Sequence, residues 1–441
     1  MNLGFGTFAL GGALTMVAAS GCTRAASRAT QAPTTSAVTA AGRWVGVARI
    51  PDMAPLRVTI TLDSSAGGWQ GTVLVPAESA QPMTLVSIVR VRDSLVLTLP
   101  ASGESAVLRV RLSADGQRLD GVIEAGHTGT VAAAREGTPD AAALVGATSR
   151  VERSRIAGNQ LAQTPPARAP SPDPDSAKLV TSDISLFWNA VDKAPRDSLA
   201  EYLQREYLDR ASVGAREFIP GRIMSAEDLA TFFHGNRARY DSVRAATLDL
   251  TKADAAIRAA FKRLKALYPP AVFPDVYFVI GRFNSGGTSS NHGLLIGAEM
   301  YPDPVRLPAI VSHELIHFQQ HYPSPTLLEH SFMEGTADFI GEMISGMQIN
   351  NDAYQYGRAH EHELWQEFSA HFDERNFFPW MYGRPTDGRP SDLGYFIGYR
   401  IAQAYYDKAT DKAKAIRDII GGDAAGTGTI RRLLAQSGYS P

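Results

Sequence analysis

Two histidines and a glutamate in the second half of the chain have the types and spacing of metal ligands. The sequence reads His-Glu-Leu-Ile-His at positions 313–317, and Glu334 follows 17 residues after the second histidine. In a helix, residues four apart project from one face, so His313 and His317 would present both imidazoles to one point. Two neutral imidazoles and one carboxylate bind zinc and leave a coordination position open for water. The pattern therefore predicts a catalytic site for one Zn²⁺ ion.

Two further acidic residues complete the predicted site. Glu314, next to the first histidine, would accept a proton from the zinc-activated water. Asp338 lies one helical turn after Glu334, where it is suited to orient a ligating histidine through a hydrogen bond. The alternative is an ordinary helix pair with polar residues on its solvent face, but it leaves four ligand-type residues at metal spacing without a role.

Both motifs require helices that lie side by side. Pro308 can begin the first helix and Pro323 can end it, because proline is tolerated in the first turn and excluded from the interior. Apolar residues between them supply faces for burial. The segment Leu327–Met347 also has helical periodicity. A chain reversal near residues 323–325 would place the two helices next to each other.

Composition bounds the class of protein. The chain has 441 residues, an ordinary apolar content of 44% and a formal net charge of −2. Length allows two or three domains. The balanced charge argues against nucleic acid or an anionic membrane surface as a partner. Nothing in the sequence indicates an oligomeric state.

The N-terminus predicts export. Residues 1–22 are predicted to be a signal peptide: residues 3–19 are apolar and small, and Ser20, Gly21 and the single cysteine of the chain, Cys22, follow. This arrangement resembles a bacterial lipoprotein signal, in which the cysteine is lipidated and anchors the protein to a membrane of the cell envelope. A plain secretory signal is the alternative. Residues 23–42 have no periodicity and predict a flexible tether.

Residues 43–136 predict an all-β module, either a barrel or a sandwich. About eight short alternating segments are separated by turn signals. Its Gly42-x-Trp44-x-Gly46 and Gly68-Trp69-x-Gly71-Thr72 motifs resemble lipocalin-like modules of bacterial envelope hydrolases. Two roles are open, a structural spacer or a carrier of apolar ligands. The segments are Trp44–Ile50, Leu56–Leu62, Trp69–Val75, Thr84–Val91, Ser94–Leu99, Ala106–Leu112, Leu119–Glu124 and Thr128–Ala134.

An Ala- and Pro-rich linker is predicted for residues 137–178, since prolines remove backbone donors and lock φ. From residue 179 to 441 the periodicity becomes helical, with two strand-like segments at Val276–Ile280 and Gly293–Gly297. The fold class expected is therefore multidomain, with an N-terminal β module and a C-terminal α+β domain that is mainly helical. Helices are predicted at Asp183–Val191, Asp197–Leu208, Ala226–Phe233, Ala238–Leu250, Ala253–Leu267, Tyr356–Phe372, Asp392–Thr410 and Lys412–Gly421.

The combined motif His-Glu-x-x-His and Glu-x-x-x-Asp resembles that of the gluzincin metallopeptidases. The surrounding sequence is similar to predicted zinc-dependent proteases catalogued as a domain of unknown function, which have relatives among gliding-motility lipoproteins. The resemblance covers about residues 179–435. It is carried by Asp183-Ile184-x-x-Phe187-Trp188, Tyr268-Pro269-x-Ala271-x-Phe273-Pro274, Tyr277-Phe278-x-Ile280-Gly281, Gly286-Gly287-Thr288, Leu295-Ile296-Gly297-x-Glu299 and Gly394-Tyr395-x-Ile397-Gly398-Tyr399.

This resemblance implies roles for the motif residues. His313, His317 and Glu334 would bind zinc, and Glu314 would act first as general base and later as proton donor. Asp338 would form a hydrogen bond with His313. The expected reaction is hydrolysis of peptide bonds in a peptide or protein substrate.

The resemblance also implies residues that contact the substrate. The strand before the motif helix would be an exposed edge, so Leu294, Leu295 and Ile296 would pair with the substrate backbone. A tyrosine downstream of the glutamate ligand would stabilise the oxyanion. Tyr399 is the preferred candidate and Tyr395 the second, against the alternative that both belong to a packed core helix.

Other histidines give weaker signals. His292 and His360 are lesser candidates for the oxyanion role. The run His360-Glu361-His362-Glu363 contains metal-ligand types, but adjacent residues of a helix point in different directions. A polar helix face is the simpler interpretation of that run.

Two other functions compete with the peptidase hypothesis. The chain could be a non-enzymatic envelope lipoprotein that keeps the fold for assembly or scaffolding, although a scaffold has no need of Glu314. It could alternatively act as an apolar-ligand carrier through the β module. The sequence leaves open the substrate and the choice between endo- and exopeptidase activity.

Overall fold

The structure of the chain is a computed structural model. The structure describes residues 39–65, 68–77, 81–99, 106–124, 128–146, 148–162, 168–320, 322–382, 388–421 and 428–441. The predicted signal peptide, the lipidation candidate Cys22 and most of the predicted tether lie outside these residues. In the described part of the chain, no helix is both long enough and apolar enough to span a bilayer.

The N-terminal module is an all-β structure. Alternation of apolar and polar residues explains its strands, since successive side chains point to opposite faces of a sheet. In the seventh strand, for example, Leu108 and Val110 are buried and Arg109 and Arg111 are exposed. The strands are β1 (Gly42–Arg49), β2 (Leu56–Ser65), β3 (Gly68–Leu74), β4 (Met83–Thr84), β5 (Ser87–Val91), β6 (Ser94–Thr98), β7 (Val107–Leu112), β8 (Arg118–Glu124) and β9 (Thr128–Arg135).

These strands form one curled antiparallel sheet rather than two packed sheets. The order is β4-β3-β2-β1-β9-β8-β7-β6-β5. The segment Thr84–Val91, predicted as one strand, contributes to both β4 and β5, which lie at opposite ends of the sheet. The described part of the module therefore has one strand more than predicted. Leu85 N donates to Gly71 O of β3 at 3.0 Å, and Val86 N donates to Thr98 O of β6 at 2.8 Å. One segment therefore connects both ends, and the sheet curls on itself.

The inner face of the curled sheet is a packed apolar core. Trp44, Ile60, Leu62, Leu97 and Leu119 are fully buried and belong to one cluster. Close packing of large side chains is typical of a structural core. This observation favours the structural role of the β module over the ligand-carrier role.

The predicted linker differs from an extended chain in its first half. Helices α1 (Pro139–Val145) and α2 (Thr148–Leu161) form there. Arg155 of α2 is 2% exposed and forms a bidentate ion pair with Asp228, at 2.8 and 2.9 Å. The same carboxylate accepts a hydrogen bond from Ala54 N of the β1–β2 turn at 3.0 Å. Residues Ala40–Pro441 accordingly form one compact unit. In the described part of the linker's second half, residues 168–170 have no regular secondary structure.

The C-terminal region is mainly helical. The observed helices are α3 (Ser182–Lys193), α4 (Leu199–Tyr202), α5 (Val213–Phe218), α6 (Ala226–Gly235), α7 (Arg237–Leu248), α8 (Thr251–Leu267), α9 (Leu307–Gln319), α10 (Leu327–Ser345), α11 (Asn351–Ala359), α12 (Glu361–Ser369), α13 (Leu393–Lys408), α14 (Lys412–Ile420) and α15 (Thr429–Ser437). The predicted helix Tyr356–Phe372 is divided at His360, and Asp197–Leu208 consists of short segments of different helical pitch.

A small mixed sheet supports the helices. It contains β10 (Leu179–Val180), β11 (Asp275–Val279), β12 (Gly287–Ser289) and β13 (Gly293–Gly297) in the order β10-β11-β13-β12. The prediction that Leu294, Leu295 and Ile296 form an exposed edge is wrong. β13 pairs in parallel with β11 and antiparallel with β12, and all of its residues are buried. The physical reason is β12, which covers the side of β13 that the prediction left open.

Helices α9, α10 and α13 form the centre of this region. Pro308 lies in the first turn of α9, and a capping box between Thr326 and Glu329 begins α10. Gly398 of α13 packs directly against the backbone of α10 at Ser331, where a side chain would collide. Because the backbones meet there, α13 brings its own side chains next to those of α10.

Candidate metal centre

The three predicted ligands converge on one point. His313 and His317 lie on α9 and Glu334 lies on the neighbouring α10. The two histidine Nε2 atoms are 2.9 Å apart. Glu334 Oε2 is 3.0 Å from His317 Nε2 and 3.3 Å from His313 Nε2. Of the described residues, these three form a group whose ligand atoms could hold one metal ion.

The dimensions of this group suit zinc. In a tetrahedral site with bonds of about 2.0–2.1 Å, ligand atoms are about 3.3 Å apart. The observed separations are equal to that value or slightly shorter. Two imidazole nitrogens and one carboxylate oxygen also leave the fourth position free. The residues present therefore fit a zinc ion with an open coordination position.

Hydrogen bonds orient both imidazoles. His313 Nδ1 is 2.7 Å from Asp338 Oδ1, which leaves Nε2 directed at the ligand group. The other oxygen of Asp338 accepts hydrogen bonds from Tyr354 OH at 2.7 Å and Asn350 Nδ2 at 2.9 Å. His317 Nδ1 is 2.7 Å from Gln320 Oε1. Such partners fix the tautomer and the ring orientation of a metal ligand.

The electrostatic environment favours positive charge at the histidines. Burial opposes ionisation of His313, but hydrogen bonds to Asp338 and Glu334 raise its pKa well above the usual value. Burial likewise opposes ionisation of Glu334, yet the charge of His317 and hydrogen bonds from both histidines lower its pKa well below the usual value. A site that stabilises a proton in this way also attracts a divalent cation, and the two compete.

Glu314 is buried beside the ligands. It is 5% exposed, and burial raises the pKa of its carboxyl. Its side chain packs against Gly287 of β12, where a Cβ atom would lie 2.5 Å from Glu314 Oε1. Glycine at position 287 therefore allows the strand β12 to approach the carboxylate. A carboxyl with a raised pKa next to a metal group suits proton transfer near neutral pH.

The tyrosine preferred from sequence lies away from this group. Tyr399 OH donates to Glu342 Oε2 at 2.9 Å, and its ring packs against Phe339 and Tyr354. The prediction for Tyr399 is therefore wrong. Tyr395 and Tyr399 share a face of α13 but lie about 6 Å apart along its axis, so they meet different parts of α10. Tyr395 lies at the site, with its ring stacked at 6.2 Å from that of His313.

Tyr382 and His330 also reach the metal group, and sequence reasoning missed both. Tyr382 OH donates to Glu334 Oε1 at 3.0 Å and lies 2.6 Å from His330 Nε2. His330 precedes Glu334 by one turn of α10, a spacing that could have indicated it. Tyr382 belongs to an irregular segment and has no comparable sequence signal. The lesser candidates lie elsewhere: His292 pairs with Glu217, and His360 stacks on Tyr356.

A cleft of about 880 Å³ opens onto the metal group. All three residues of β12 line it, whereas Leu294, Leu295 and Ile296 of β13 do not. Its lining also includes Arg222, Asn284, Ser285, Met300, Tyr301, Ile310, Gln320, Met333, Ile349, Asn350, Asp392 and the residues His313, Glu314, His317, Glu334, Tyr382 and Tyr395.

Comparison with known proteins gives one family. Residues 283–419 match the family model described as "Predicted Zn-dependent protease (DUF2268)". The matched segment contains β12, β13, both ligand helices and α13, which together form the site. A search of curated proteins found no match, and a search of solved structures found none either. The region is thus similar to a family predicted to comprise zinc proteases, and the β module lies outside the matched segment.

Proposed function

We propose that this chain is a zinc-dependent peptidase. The observation that carries the proposal is the convergence of His313, His317 and Glu334, with ligand atoms 2.9–3.3 Å apart, in the lining of a cleft. The similarity of residues 283–419 to a family of predicted zinc proteases supports it. A bound zinc ion would supply Lewis-acid activation of water and of the substrate carbonyl.

Glu314 is the proposed general base. Its carboxyl is buried at the cleft, and burial raises its pKa, so it can accept a proton from the attacking water and return it to the leaving amine. A scaffold protein gains nothing from burying a carboxyl at this position, since an uncompensated buried charge costs stability. The intact Glu314 therefore favours the enzyme over the scaffold alternative.

Tyr382 and Tyr395 are the proposed oxyanion donors. Burial raises the pKa of both phenols, and the charge of Glu334 raises them further. Both hydroxyls therefore remain protonated over the physiological range and can donate hydrogen bonds. A donor directed at the developing oxyanion stabilises the transition state more than the ground state.

The edge strand β12 is the proposed site for the substrate backbone. It pairs with β13 on one side, and its three residues line the cleft. An extended peptide could add to its free side by main-chain hydrogen bonds. A second cleft of about 870 Å³ adjoins the first and shares Ile349, Asn350 and Asp392 with it. Two adjoining clefts of this volume suit a peptide better than a small molecule.

The test is hydrolysis of a peptide mixture by the purified full-length chain loaded with zinc. We expect cleavage that a chelator abolishes and zinc restores. Glu314→Gln should lower kcat by at least about 10³-fold, because it removes the general base while it preserves the ligands. Zinc content and the circular dichroism spectrum of this variant should equal those of the wild type.

A matched variant distinguishes loss of the general base from loss of a carboxylate elsewhere in the same region. Glu342→Gln changes a glutamate of α10 that pairs with Tyr399 outside the cleft, and it should retain activity. Full activity in Glu314→Gln would refute the mechanism. Stoichiometric zinc without any peptide cleavage would instead favour the scaffold alternative.

Location in the cell envelope is part of the proposal. It rests on the apolar N-terminus and on Cys22 as the lipidation site, by which the protein would be exported and anchored to a membrane. Metabolic labelling with a fatty-acid analogue should mark the wild type and leave Cys22→Ser unlabelled. The proposed role of the β module is structural, supported by its packed interior and by its hydrogen bond to Asp228.

A further inference from the structure

The cleft contains a guanidinium group that the proposed chemistry does not use. Arg222 is half-buried and lines the same cleft as Glu314. Its Nε donates to Ser285 Oγ at 3.1 Å, and its guanidinium carbon lies 5.5 Å from the centre of the Phe218 ring. In the described part of the chain, its two terminal nitrogens have no acceptor and no carboxylate lies within ion-pair distance.

This arrangement is costly for the free protein. Burial disfavours the charged form of Arg222 and lowers its pKa, with the charge of Glu314 as the opposing influence. Partial burial of a charge without a partner costs free energy. The planar fork of the two terminal nitrogens is also the geometry that binds a carboxylate through two parallel hydrogen bonds.

The backbone around Arg222 is held in a strained conformation. Met224 has φ 70° and ψ −61°, and Ser225 N donates to Ile223 O at 3.0 Å, which is a γ-turn of the rare strained type. Strain of this kind persists where the surroundings enforce it, and such positions are frequent at ligand sites. The γ-turn lies two residues after Arg222, so the strained backbone borders the residue that lines the cleft.

Buried polar contacts enforce this conformation from both sides. Asp228 binds Ser225 Oγ at 2.6 Å and holds Arg155 at the same time. On the other side, Arg282 Nε donates to the carbonyl oxygen of Arg222 at 2.7 Å. Arg282 Nη1 donates to Asp52 O of the β1–β2 turn at 3.1 Å. The position of Arg222 is therefore fixed by the helical region and by the β module together.

The location of Arg222 defines the part of the substrate that it meets. Ser285, its hydrogen-bond partner, precedes Gly287 by two residues, and Gly287 contacts Glu314. Two residues of chain span at most about 6–7 Å, the length that they have when extended. Consider a substrate that pairs with β12 and is cleaved opposite Glu314. Its first or second residue, counted from the cleaved bond, would therefore lie next to Arg222.

We propose that Arg222 is a specificity-determining residue that binds a substrate carboxylate within two residues of the cleaved bond. This inference rests on the proposed peptidase function. The carboxylate has two possible sources, an aspartate or glutamate side chain within the peptide or the free C-terminus. The first source corresponds to an endopeptidase that prefers acidic sequences, and the second to a carboxypeptidase.

Matched peptide pairs test the proposal and separate the two sources. The first set consists of peptide pairs whose members differ only by glutamate or glutamine at one position. The pairs of this set cover the two positions on each side of the cleaved bond. Another pair has the same sequence with a free C-terminal carboxylate or a carboxamide. We expect at least about 10-fold higher kcat/KM for the acidic member of one pair, the ratio typical of a hydrogen-bonded ion pair.

Arg222→Gln should reduce that ratio to about one, and Arg222→Lys should retain part of it because it keeps the charge without the fork. The ratio within a pair cancels any general effect of the substitution on Glu314. Arg239→Gln is the matched control, since Arg239 packs on Phe283 outside the cleft lining, and it should preserve the ratio.

Binding provides a readout that needs no turnover. Zinc-loaded Glu314→Gln should bind the acidic fluorescent peptide about 10-fold more tightly than its amide partner, and addition of Arg222→Gln should remove the difference. Equal kcat/KM within every pair, or a ratio that survives in Arg222→Gln, would overturn the proposal. Absence of cleavage by the wild type would count against the peptidase function, and the binding ratio would then decide the role of Arg222 by itself.

Discussion

Glu299 predicts a specific dependence of stability on pH. This glutamate lies two residues after the end of β13 and is 1% exposed. Its Oε1 accepts hydrogen bonds from Gly281 N at 2.9 Å and Phe283 N at 3.2 Å. Its Oε2 has no hydrogen-bond partner in the described part of the chain. Burial therefore raises the pKa of Glu299 from 4.5 to about 7, in spite of the two backbone donors.

The sign and size of the effect follow from this pKa. Because the folded state binds the proton more tightly than the unfolded state, the stabilisation is complete below about pH 4.5 and is lost as the pH rises to about 7. A pKa difference of about 2.5 corresponds to about 3.4 kcal/mol in total. Between pH 5 and pH 8 the folded protein should lose about 2.5 kcal/mol through this group.

The assay is urea unfolding of the wild type and Glu299→Gln at a series of pH values, with chelator present so that metal binding does not contribute. Glutamine keeps an oxygen for the two backbone donors and has no charge. We expect the stability of the variant relative to the wild type to increase by about 2.5 kcal/mol from pH 5 to pH 8. Glu201→Gln, at an exposed glutamate with 66% side-chain exposure, serves as the control and should show a constant difference.

A difference between wild type and Glu299→Gln that stays constant within about 0.5 kcal/mol over this pH range would refute the reasoning. It would mean that the carboxyl ionises in the folded protein as easily as in water, and therefore that the site around Gly281 and Phe283 is hydrated. A change of opposite sign would show that the two backbone donors outweigh burial.

Three further predictions concern the site and its support. Asp338→Asn should weaken zinc binding by about 10- to 100-fold in competition with a chromophoric chelator, because its carboxylate orients His313; an unchanged affinity would contradict this role. Asp228→Asn should lower the free energy of unfolding by about 3–5 kcal/mol in urea, because it replaces the carboxylate that pairs with the buried guanidinium of Arg155 by a neutral amide; a loss below about 1 kcal/mol would mean that the pair is hydrated. Tyr382→Phe should reduce kcat for peptide hydrolysis by about 10²-fold, whereas Tyr399→Phe should stay close to the wild type; equal effects of the two substitutions would exclude Tyr382 as the oxyanion donor.

Local patterns in the sequence predict much of the fold. The alternation of apolar residues marks the strands of the β module, although it cannot show that the segment Thr84–Val91 pairs with one neighbour and then with another. Helical periodicity likewise predicts α9 and α10. It does not predict that the segment Tyr356–Phe372 is interrupted at His360, because the residues on both sides of His360 have helical periodicity and form the helices Asn351–Ala359 and Glu361–Ser369.

The amino-acid sequence by itself determined which residue types and spacings define the candidate metal centre. Spacing along one helix defines which side chains share a face, so His313, His317 and the adjacent Glu314 could be recognised without coordinates. The third ligand follows from the next helix in the chain. These are short-range properties of residue type and helical geometry.

The tertiary structure decided everything that depends on distant segments. A three-residue strand, β12, becomes the edge of the small sheet, and it is too short to have a periodic signal. The close contact at Gly398 determines which tyrosine of α13 reaches the site. The ion pair between Arg155 and Asp228 joins residues 73 positions apart, and the segment carrying Arg222 depends on it. Such contacts result from packing between elements, which local residue patterns do not encode.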